Sequence, residues 1–410
     1  MANLSANRDS NLNHAQNSKG APNRIKRKPP LFLSWLQLRK ERVRLLVAIA
    51  GISFADVLMF LQMGFRGALF SSAVEFHHSL NGEIVMLSSR YRSLISLDRF
   101  TERRLYQAAG VTGVESVSPI YLNFMQWRNP DNKEIWDIFV IGIQPDDQVM
   151  NLPDVQANQQ RLRDPDTALF NRGSRTEFGP IARRFQAGEV ISTEVNQRQV
   201  QIRGLFQLSP TFGINAYLIT SDLNFLRLAR FRQGGLIDVG VIKLQPNADV
   251  ETVLARLQSR LPNDVRVMTK ADYAKAEVAF WNASTPVGYT FDLGVVIAFI
   301  VGAVIVYQIL YSDVTDHLPE YATLKAIGFR DRYLLVVVFQ ESLILAALGF
   351  IPGTAIALGL YQITHVATLL PMAMNAGRVV FVFVLTALMC SVAASMAVRK
   401  LQQADPADIF

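Results

Sequence analysis

The chain of 410 residues contains one cysteine, Cys390, which falls inside an apolar stretch near the C-terminus. A disulfide framework is therefore excluded, and a domain outside the membrane must be stabilised by its own apolar core. The phosphate-binding pattern GxxxxGKS/T is absent, so we expect no ATP site in this chain. HExxH, CxxC and GxSxG patterns are also absent, and we predict neither a metal site nor a hydrolase triad.

The N-terminal region lacks any apolar run, so we expect no cleavable signal peptide. Residues 1–30 are rich in Asn, Ser and basic residues and are predicted to form a disordered basic arm. Residues 31–44 combine apolar and basic side chains after two prolines. This composition predicts an amphipathic helix that lies in the cytoplasmic interface of a membrane.

Four later segments are apolar enough and long enough to cross a membrane, which takes about 20 residues. They comprise residues 45–65, 293–312, 333–363 and 379–398. One span therefore precedes, and three spans follow, the mostly polar residues 66–292. The sequence predicts a membrane α-helical fold with four transmembrane helices in a 1+3 arrangement and a large domain inserted between the first and second.

Basic residues beside the spans indicate the cytoplasmic side, because Lys and Arg are held there. The chain before the first span carries Arg24, Lys26, Arg27, Lys28, Arg39, Lys40, Arg42 and Arg44. Arg399 and Lys400 follow the fourth span, whereas positions 366–377 of the short periplasmic loop, residues 364–378, carry no charge. Both termini, including the tail of residues 399–410, are therefore predicted to be cytoplasmic. The basic arm favours anionic lipid over nucleic acid as a partner.

The inserted region alternates short β-forming runs with a few amphipathic helices, which predicts an α+β periplasmic domain. Residues 164–179 are rich in Gly, Asn and Arg and predict a surface loop. Residues 271–281 predict a helix that leads through a Ser284-Thr285-Pro286 break into the second span. A connection of this kind is able to transmit movement between the membrane and the external domain.

Two adjacent histidines, His77 and His78, lie just past the first span. We interpret them as a polar patch at the membrane interface and not as metal ligands, because no Cys/His cluster accompanies them.

The cytoplasmic segment of residues 313–332 joins the second and third spans. Pro319 stands at the start and Gly328 at the end of a predicted short helix, and Tyr321 and Leu324 share one side of it. Two interpretations remain open from the residues alone. The segment is either a connector with its apolar side against the membrane or a peg that fits a cleft in a cytoplasmic partner.

At this segment the chain resembles a known family. EYATLKAIGF at residues 320–329, followed by QESLILAALG at 340–349, is similar to the coupling-helix and third-helix signature of the MacB/FtsX class of ABC transporter permeases. ADPAD at 404–408 resembles the C-terminal ending of the same class. WNASTPVG at 281–288 and VYQILYSDVTDHLPE at 306–320 resemble its DevC branch, the permeases of cyanobacterial exporters.

The resemblance implies a permease subunit of an ABC exporter in the cell inner membrane, acting as a homodimer. It implies that this chain binds no cofactor and is not an enzyme, since a separate ATPase subunit binds ATP and Mg. For the DevC branch the implied partners are a DevA-like ATPase, a DevB-like periplasmic membrane-fusion adaptor and a TolC-like outer-membrane channel. The implied cargo is glycolipid or another lipid-like molecule.

The resemblance also implies which residues contact the ATPase: Glu320, Tyr321, Leu324, Lys325, Gly328 and Phe329. Residues 31–44 form a second candidate contact, and this role is compatible with lying on the membrane surface.

Two acidic residues fall inside spans, where a carboxylate is costly to bury. We interpret Asp56 as a protonated or hydrogen-bonded carboxyl at a helix interface, near Ser53 and facing a dimer partner. The alternative for Asp56 is a proton- or substrate-linked site. Glu341 lies nine residues after Arg332, so we expect it to pair with basic residues at the cytoplasmic end of its span. Its alternative role is to fix the coupling helix.

The third span contains a GxxxG pattern, Gly349 to Gly353, with Pro352 inside it. Small residues at this spacing allow two helices to approach closely, and the proline predicts a kink. We expect this surface to pack against the fourth span, and the alternative is a contact between two copies of the chain.

Two other functions remain open. One is an FtsX-like regulator, whose external domain controls periplasmic cell-wall hydrolases without exporting anything. The other is a membrane-tethered periplasmic enzyme or sensor, for which the helices are only anchors.

Overall fold

The computed structural model describes residues 42–211, 213–230, 232–319, 323, 331–368 and 370–403. Four of its helices are long and apolar enough to cross a membrane. They are α1 (Arg42–Ala73), α9 (Val287–Asp316), α10 (Asp331–Thr368) and α11 (Ala376–Gln403). The predicted one-plus-three arrangement is confirmed, and all four helices extend beyond the predicted spans because the helical backbone continues into the flanking residues.

The domain between α1 and α9 contains both strands and helices, which confirms the α+β prediction. Its strands are β1 (Ile84–Ser88), β2 (Phe100–Thr101), β3 (Val114–Arg128), β4 (Ile135–Ile143), β5 (Thr167–Asn171), β6 (Ser192–Val195), β7 (Arg198–Phe206), β8 (Tyr217–Ser221), β9 (Leu236–Ile237), β10 (Val239–Leu244) and β11 (Val265–Thr269). Its α-helices are α2 (Glu75–Ser79), α3 (Glu102–Ala109), α4 (Pro153–Asn158), α5 (Ile181–Gln186), α6 (Asp222–Leu228), α7 (Val250–Arg260) and α8 (Lys270–Ser284).

Nine of these strands form one sheet in the order β11-β1-β10-β3-β4-β8-β5-β7-β6. Most neighbours are antiparallel, but β4 with β8 and β5 with β7 are parallel. The long strand β3 also pairs with β6 at its C-terminal end, through Trp127 and Arg128. The strands β3, β4, β8, β5, β7 and β6 therefore form a closed ring of paired strands. The other three strands of the sheet, β10, β1 and β11, extend from the N-terminal part of β3.

Apolar side chains pack on both faces of the sheet. One core, which includes Trp127, Phe170 and Phe225, lies between the sheet and helices α3, α6 and α7. The other core, which includes Phe139 and Tyr273, lies towards helices α2 and α8 next to the membrane spans. Burial of these large side chains is the main stabilising term of a domain without disulfides.

The prediction of a surface loop at residues 164–179 is wrong in part. Its residues Thr167–Asn171 form β5, all five of whose side chains are buried. Within the sheet the strand lies between β8 and β7, and the two apolar cores cover both of its faces, so its side chains show no alternation of buried and exposed positions.

In the membrane part, α1 packs against both α9 and α10, and α11 packs against α9 and α10. The first span is therefore an internal helix of the bundle. Its residues Ile52, Ala55 and Met59 are completely buried, whereas one face of α9 exposes Val296, Ile300 and other apolar side chains. An apolar exposed face is expected of a helix that contacts lipid or another copy of the chain.

Candidate functional site

The residues predicted to contact an ATPase all lie outside the described part of the chain. They are Glu320, Tyr321, Leu324, Lys325, Gly328 and Phe329. The predicted interfacial helix, residues 31–44, is described only from Arg42 onwards. We call residues 313–332 the coupling segment. The structure describes α9, which leads into this segment, and α10, which leaves it.

A charged cluster joins the first and second spans at their ends away from the inserted domain. Arg44 of α1 forms ion pairs with Asp313, at 3.1 Å between Nη1 and Oδ1, and with Asp316 at the end of α9. The ring Nδ1 of His317 lies 2.9 Å from the main-chain oxygen of Asp313. Asp313 is almost buried, so its charge is compensated in a setting of reduced solvent screening. The cluster fixes the end of α9 to α1 at the start of the coupling segment.

Asp56 lies inside the bundle of its own chain, so the prediction that it faces a dimer partner is wrong. Its side chain is fully buried, and the hydroxyl of Thr386 on α11 donates a hydrogen bond to Asp56 Oδ1. Gly353 of α10 packs directly against it, because the absent side chain leaves room there. The carboxyl therefore lies where α1, α10 and α11 meet.

The same helices are joined one turn earlier by a second polar contact. The Ser53 hydroxyl lies 2.8 Å from the main-chain oxygen of Gly349 and 2.6 Å from that of Ile49. A Cβ at Gly349 would lie 2.6 Å from the Ile52 side chain, so only glycine allows this approach. The GxxxG surface thus packs against the first span and not, as predicted, against the fourth. Helix α10 continues through Pro352 from Asp331 to Thr368.

Glu341 of α10 is buried, with 2% of its surface exposed. Its predicted pairing with basic residues at the cytoplasmic end stays a prediction. The neighbouring Ser342 is also buried and donates a hydrogen bond to the main-chain oxygen of Phe339.

A second buried cluster joins the two spans on the periplasmic side. The short helix α2 follows α1, and its His77 packs against Tyr273 of α8 with ring centroids 4.1 Å apart. His77 Nε2 lies 3.5 Å from Oε2 of Glu277, and both side chains are at most 1% exposed. The prediction that His77 forms a surface patch is therefore wrong, although His78 is exposed. The helix after the first span and the helix before the second are thus joined by buried polar groups.

Glu277 is the centre of this cluster because it accepts three hydrogen bonds. The donors are the Tyr91 hydroxyl at 3.0 Å, the Leu94 amide at 2.9 Å and the Trp281 indole at 3.0 Å. Burial, with smaller contributions from Tyr273 and Glu277, raises the pKa of the Tyr91 hydroxyl well above its usual range. Tyr91 therefore stays a neutral donor, and the cluster fixes α8 to the loop after β1.

The connection from this cluster to the second span follows the predicted break. Helix α8 ends at Ser284, Thr285 is extended, and α9 begins at Val287 after Pro286. The Thr285 hydroxyl donates to the main-chain oxygen of Trp281, which closes the end of α8.

Among the described residues, no group of three or more His, Cys, Asp or Glu side chains is placed to hold a metal ion.

The C-terminal helices match a known domain family. Residues 293–406 match the FtsX-like permease C-terminal domain family. The match begins within α9, continues through the coupling segment, and covers α10 and α11. No curated protein sequence matches the chain.

Three solved structures are similar to the inserted domain. The periplasmic region of MacB from Actinobacillus actinomycetemcomitans has 10% identity and a TM-score of 0.34, covering 48% of this chain and 92% of that one. The extracellular domain of the ABC-type transporter YknZ from Gram-positive bacteria has 15% identity and a TM-score of 0.30, covering 46% and 100%. A domain described as part of a permease from Porphyromonas gingivalis has 14% identity and a TM-score of 0.29, covering 47% and 90%. The functional argument is carried by the FtsX-like family match and not by these structures.

Sequence reasoning missed three residues that the structure places in these clusters. Thr386 is one of several hydroxyl residues in the spans, and its pairing with Asp56 depends on helix rotation. Glu277 lies in a helix that was predicted, but nothing in its spacing distinguishes it from an exposed glutamate. Tyr91 follows β1 in an irregular segment, and its contact with α8 joins residues far apart in the chain.

Proposed function

We propose that this chain is the permease subunit of an ABC exporter and works with a separate ATPase subunit. The observation that carries the proposal is the FtsX-like match over the last three spans, in a chain with a large domain between its first and second spans. The absence of a phosphate-binding loop from the sequence supports a separate source of energy.

The contacts between the spans support a mechanical relay. On the cytoplasmic side, Arg44 links α1 to the end of α9, just before the coupling segment. On the periplasmic side, His77 and Glu277 link the two helices that connect these spans to the inserted domain. A displacement of the coupling segment by the ATPase would therefore move α1 and α9 together and carry the base of the periplasmic domain with them.

The finer proposal is a transporter of the DevC type. It is supported by the sequence similarity at residues 281–288 and 306–320. In this proposal the chain forms a homodimer, a periplasmic adaptor contacts the inserted domain, and a TolC-like channel completes the path. The proposed cargo is a glycolipid or another lipid-like molecule.

The same family match also favours a second candidate, a regulator of periplasmic cell-wall hydrolases that exports nothing. Both candidates require the ATPase contact. They differ in what the periplasmic domain acts on, which is an exported cargo in the first and a cell-wall hydrolase in the second. Deleting the gene and measuring membrane lipids by mass spectrometry separates them. Accumulation of one lipid class supports the exporter, and unchanged lipids with altered cell-wall hydrolysis support the regulator.

The ATPase contact is tested by co-purification with the proposed ATPase subunit. The double variant Leu324→Asp with Lys325→Glu is expected to lose the ATPase. A matched control makes the same two changes on the periplasmic domain, Leu223→Asp with Lys275→Glu, where both residues are exposed. The control should retain the ATPase, and equal retention by both variants would contradict the proposal.

A further inference from the structure

In its C-terminal part, strand β3 is paired without a break along one edge, whereas the pairing along its other edge is interrupted. Strand β4 pairs with it from Ile120 to Arg128 on the first edge. On the second edge, the β10 pairing ends at Ile120 and the β6 pairing begins at Trp127. Residues 121–126 therefore have no paired strand on that side. A gap of this kind exposes main-chain donors and acceptors in the middle of a sheet.

Side chains occupy both ends of the gap. At one end, the Leu122 amide donates to Asp238 Oδ2 at 2.7 Å, and Arg232 Nη1 donates to the Leu122 carbonyl at 3.2 Å. At the other end, the Gln126 amide donates to Asn196 Oδ1 at 2.9 Å, and the Asn196 amide donates to the Gln126 carbonyl at 2.8 Å. The main-chain N–H and C=O groups of every second residue of the strand thus face the gap.

Phe124 lies midway between these two residues, and its main chain points the same way. Its partner on β4 is Phe139, whose amide donates to Ala216 on the opposite side at 3.0 Å. The Phe124 and Phe139 pair is therefore a non-hydrogen-bonded pair, and the N–H and C=O of Phe124 point away from β4. Among the described residues, none forms a hydrogen bond with this N–H or C=O across the gap. The N–H and the C=O of Phe124 are thus available to pair with the main chain of another segment.

The gap opens into a groove of about 500 Å³ with an excess of positive charge. Arg99 and Arg230 line it and are exposed, and neither forms an ion pair with a carboxylate of the described residues, although Arg99 has a longer-range electrostatic interaction with Asp238. Arg232 also lines it but is neutralised by a buried ion pair with Asp238. Among the described lining residues Asp137 is the one acid, and the others besides the three arginines are amide or apolar. The groove therefore favours an anionic occupant.

We propose that this groove binds a short, extended, acidic segment of a partner protein. The segment adds its main chain to Phe124, donating an N–H to the Phe124 carbonyl and accepting from the Phe124 amide. Its carboxylates lie against Arg99 and Arg230. The distance from Leu122 to Gln126 is about 13 Å at about 3.3 Å per residue, which leaves room for three or four extended residues.

The free carbonyl of Phe124 is what favours a peptide over a simple anion. A phosphate or sulfate supplies acceptors for the arginines and for the Phe124 amide but no donor for the carbonyl. An extended peptide supplies both. The inference rests on the inserted domain alone and holds whether or not the chain is driven by an ATPase.

The test uses the full chain in detergent micelles and the peptide Val-Asp-Val-Asp-Val-amide with fluorescein on its N-terminal nitrogen, with binding followed by fluorescence anisotropy. We expect saturable binding that weakens with added salt, and a roughly tenfold higher Kd for the Arg99→Gln, Arg230→Gln double variant. The matched control is Arg103→Gln with Arg266→Gln, which removes two exposed arginines outside the groove. The control should bind like the wild type.

Two further probes separate the parts of the proposal. A peptide that is N-methylated at every residue lacks the main-chain donors and should bind at least tenfold more weakly, as should the Val-Lys-Val-Lys-Val peptide. Absence of binding, equal binding by the groove variant, or full displacement by an equal concentration of inorganic phosphate would overturn the proposal. The groove variant should still co-purify with the ATPase, so this test fails or succeeds independently of the proposed function.

Discussion

Gly353 and Asp56 approach so closely that a Cβ on Gly353 would lie 3.0 Å from the Asp56 Cβ. Gly353 also lies beside the Ser53 main chain, where a Cβ would be 3.1 Å from Cα. The third span thus packs on the polar face of the first, and the intramembrane carboxyl is covered by glycine. This contact, with the clusters at both ends of the first span, makes α1 the structural link between the coupling segment and the periplasmic domain.

Replacing Gly349 or Gly353 with leucine should separate α10 from α1. The new side chain has no space against Ile52, Ser53 or Asp56, so we expect a loss of about 1–3 kcal/mol in stability. The measurement is the thermal unfolding midpoint of the full chain in detergent. Gly359→Leu on the same helix is the control, because no heavy atom lies within 4 Å of its added Cβ. Equal destabilisation by the control would contradict the packing described.

Removing the hydroxyl of Thr386 should destabilise the protein, because the buried Asp56 carboxyl then loses a hydrogen bond. Thr386→Val keeps the shape of the side chain but leaves the Asp56 carboxyl without this hydrogen bond, at about 1–3 kcal/mol. Thr354→Val is the matched control, since the Thr354 hydroxyl has no hydrogen-bond partner among the described residues. Stability is compared by thermal unfolding in detergent. If both variants unfold at the wild-type temperature, the hydrogen bond to Asp56 contributes nothing.

Replacing Glu277 should destabilise the buried cluster that fixes α8 to the loop after β1. Glu277→Ala leaves three buried donors, on Tyr91, Leu94 and Trp281, without their acceptor, and we expect a loss of about 3 kcal/mol or more. Glu251→Ala, at an exposed position of α7, should change stability by less than about 0.5 kcal/mol. Hydrogen exchange of α8 provides a local readout. Unchanged protection of α8 in Glu277→Ala would show that the cluster does not fix this helix.

The ion pair between Asp166 and Arg198 should make stability depend on acid pH. Hydrogen bonds from Arg198 lower the pKa of Asp166 below its usual value. Because the folded pKa is lowered, this contribution is complete above the unfolded pKa of about 3.9 and is lost as pH falls through the folded pKa. Arg198→Gln should therefore lower the unfolding temperature at pH 7 and approach the wild type below pH 3. A difference that is the same at every pH would exclude this origin.

The membrane layout could be predicted from sequence because each span depends on a local property, an apolar run of sufficient length. The α+β class followed from alternation within short runs. The partners of Asp56 and of the glycines at 349 and 353 could not be predicted, since they depend on how each helix is rotated and which neighbour it meets. Strand β5 was missed because a strand buried on both faces has no alternation.

The buried cluster around Glu277 likewise depends on contacts that could not be predicted from sequence. Residues 271–281 were correctly predicted as helical, yet the role of Glu277 arises from contacts with residues almost 200 positions earlier in the chain, such as Tyr91. His77 was assigned to a surface patch because it adjoins a span. The fold instead buries it beneath Tyr273.

The central claim is that an ATPase acts on residues 313–332 and that this chain passes the movement outward. It is tested most directly by the ATP hydrolysis rate of the partner ATPase, reconstituted in nanodiscs with the wild-type chain, with Leu324→Asp and Lys325→Glu together, or with the control Leu223→Asp and Lys275→Glu. We predict that the wild type and the control stimulate hydrolysis and that the coupling variant leaves it at the rate of the ATPase alone. Equal stimulation by all three chains would contradict the account.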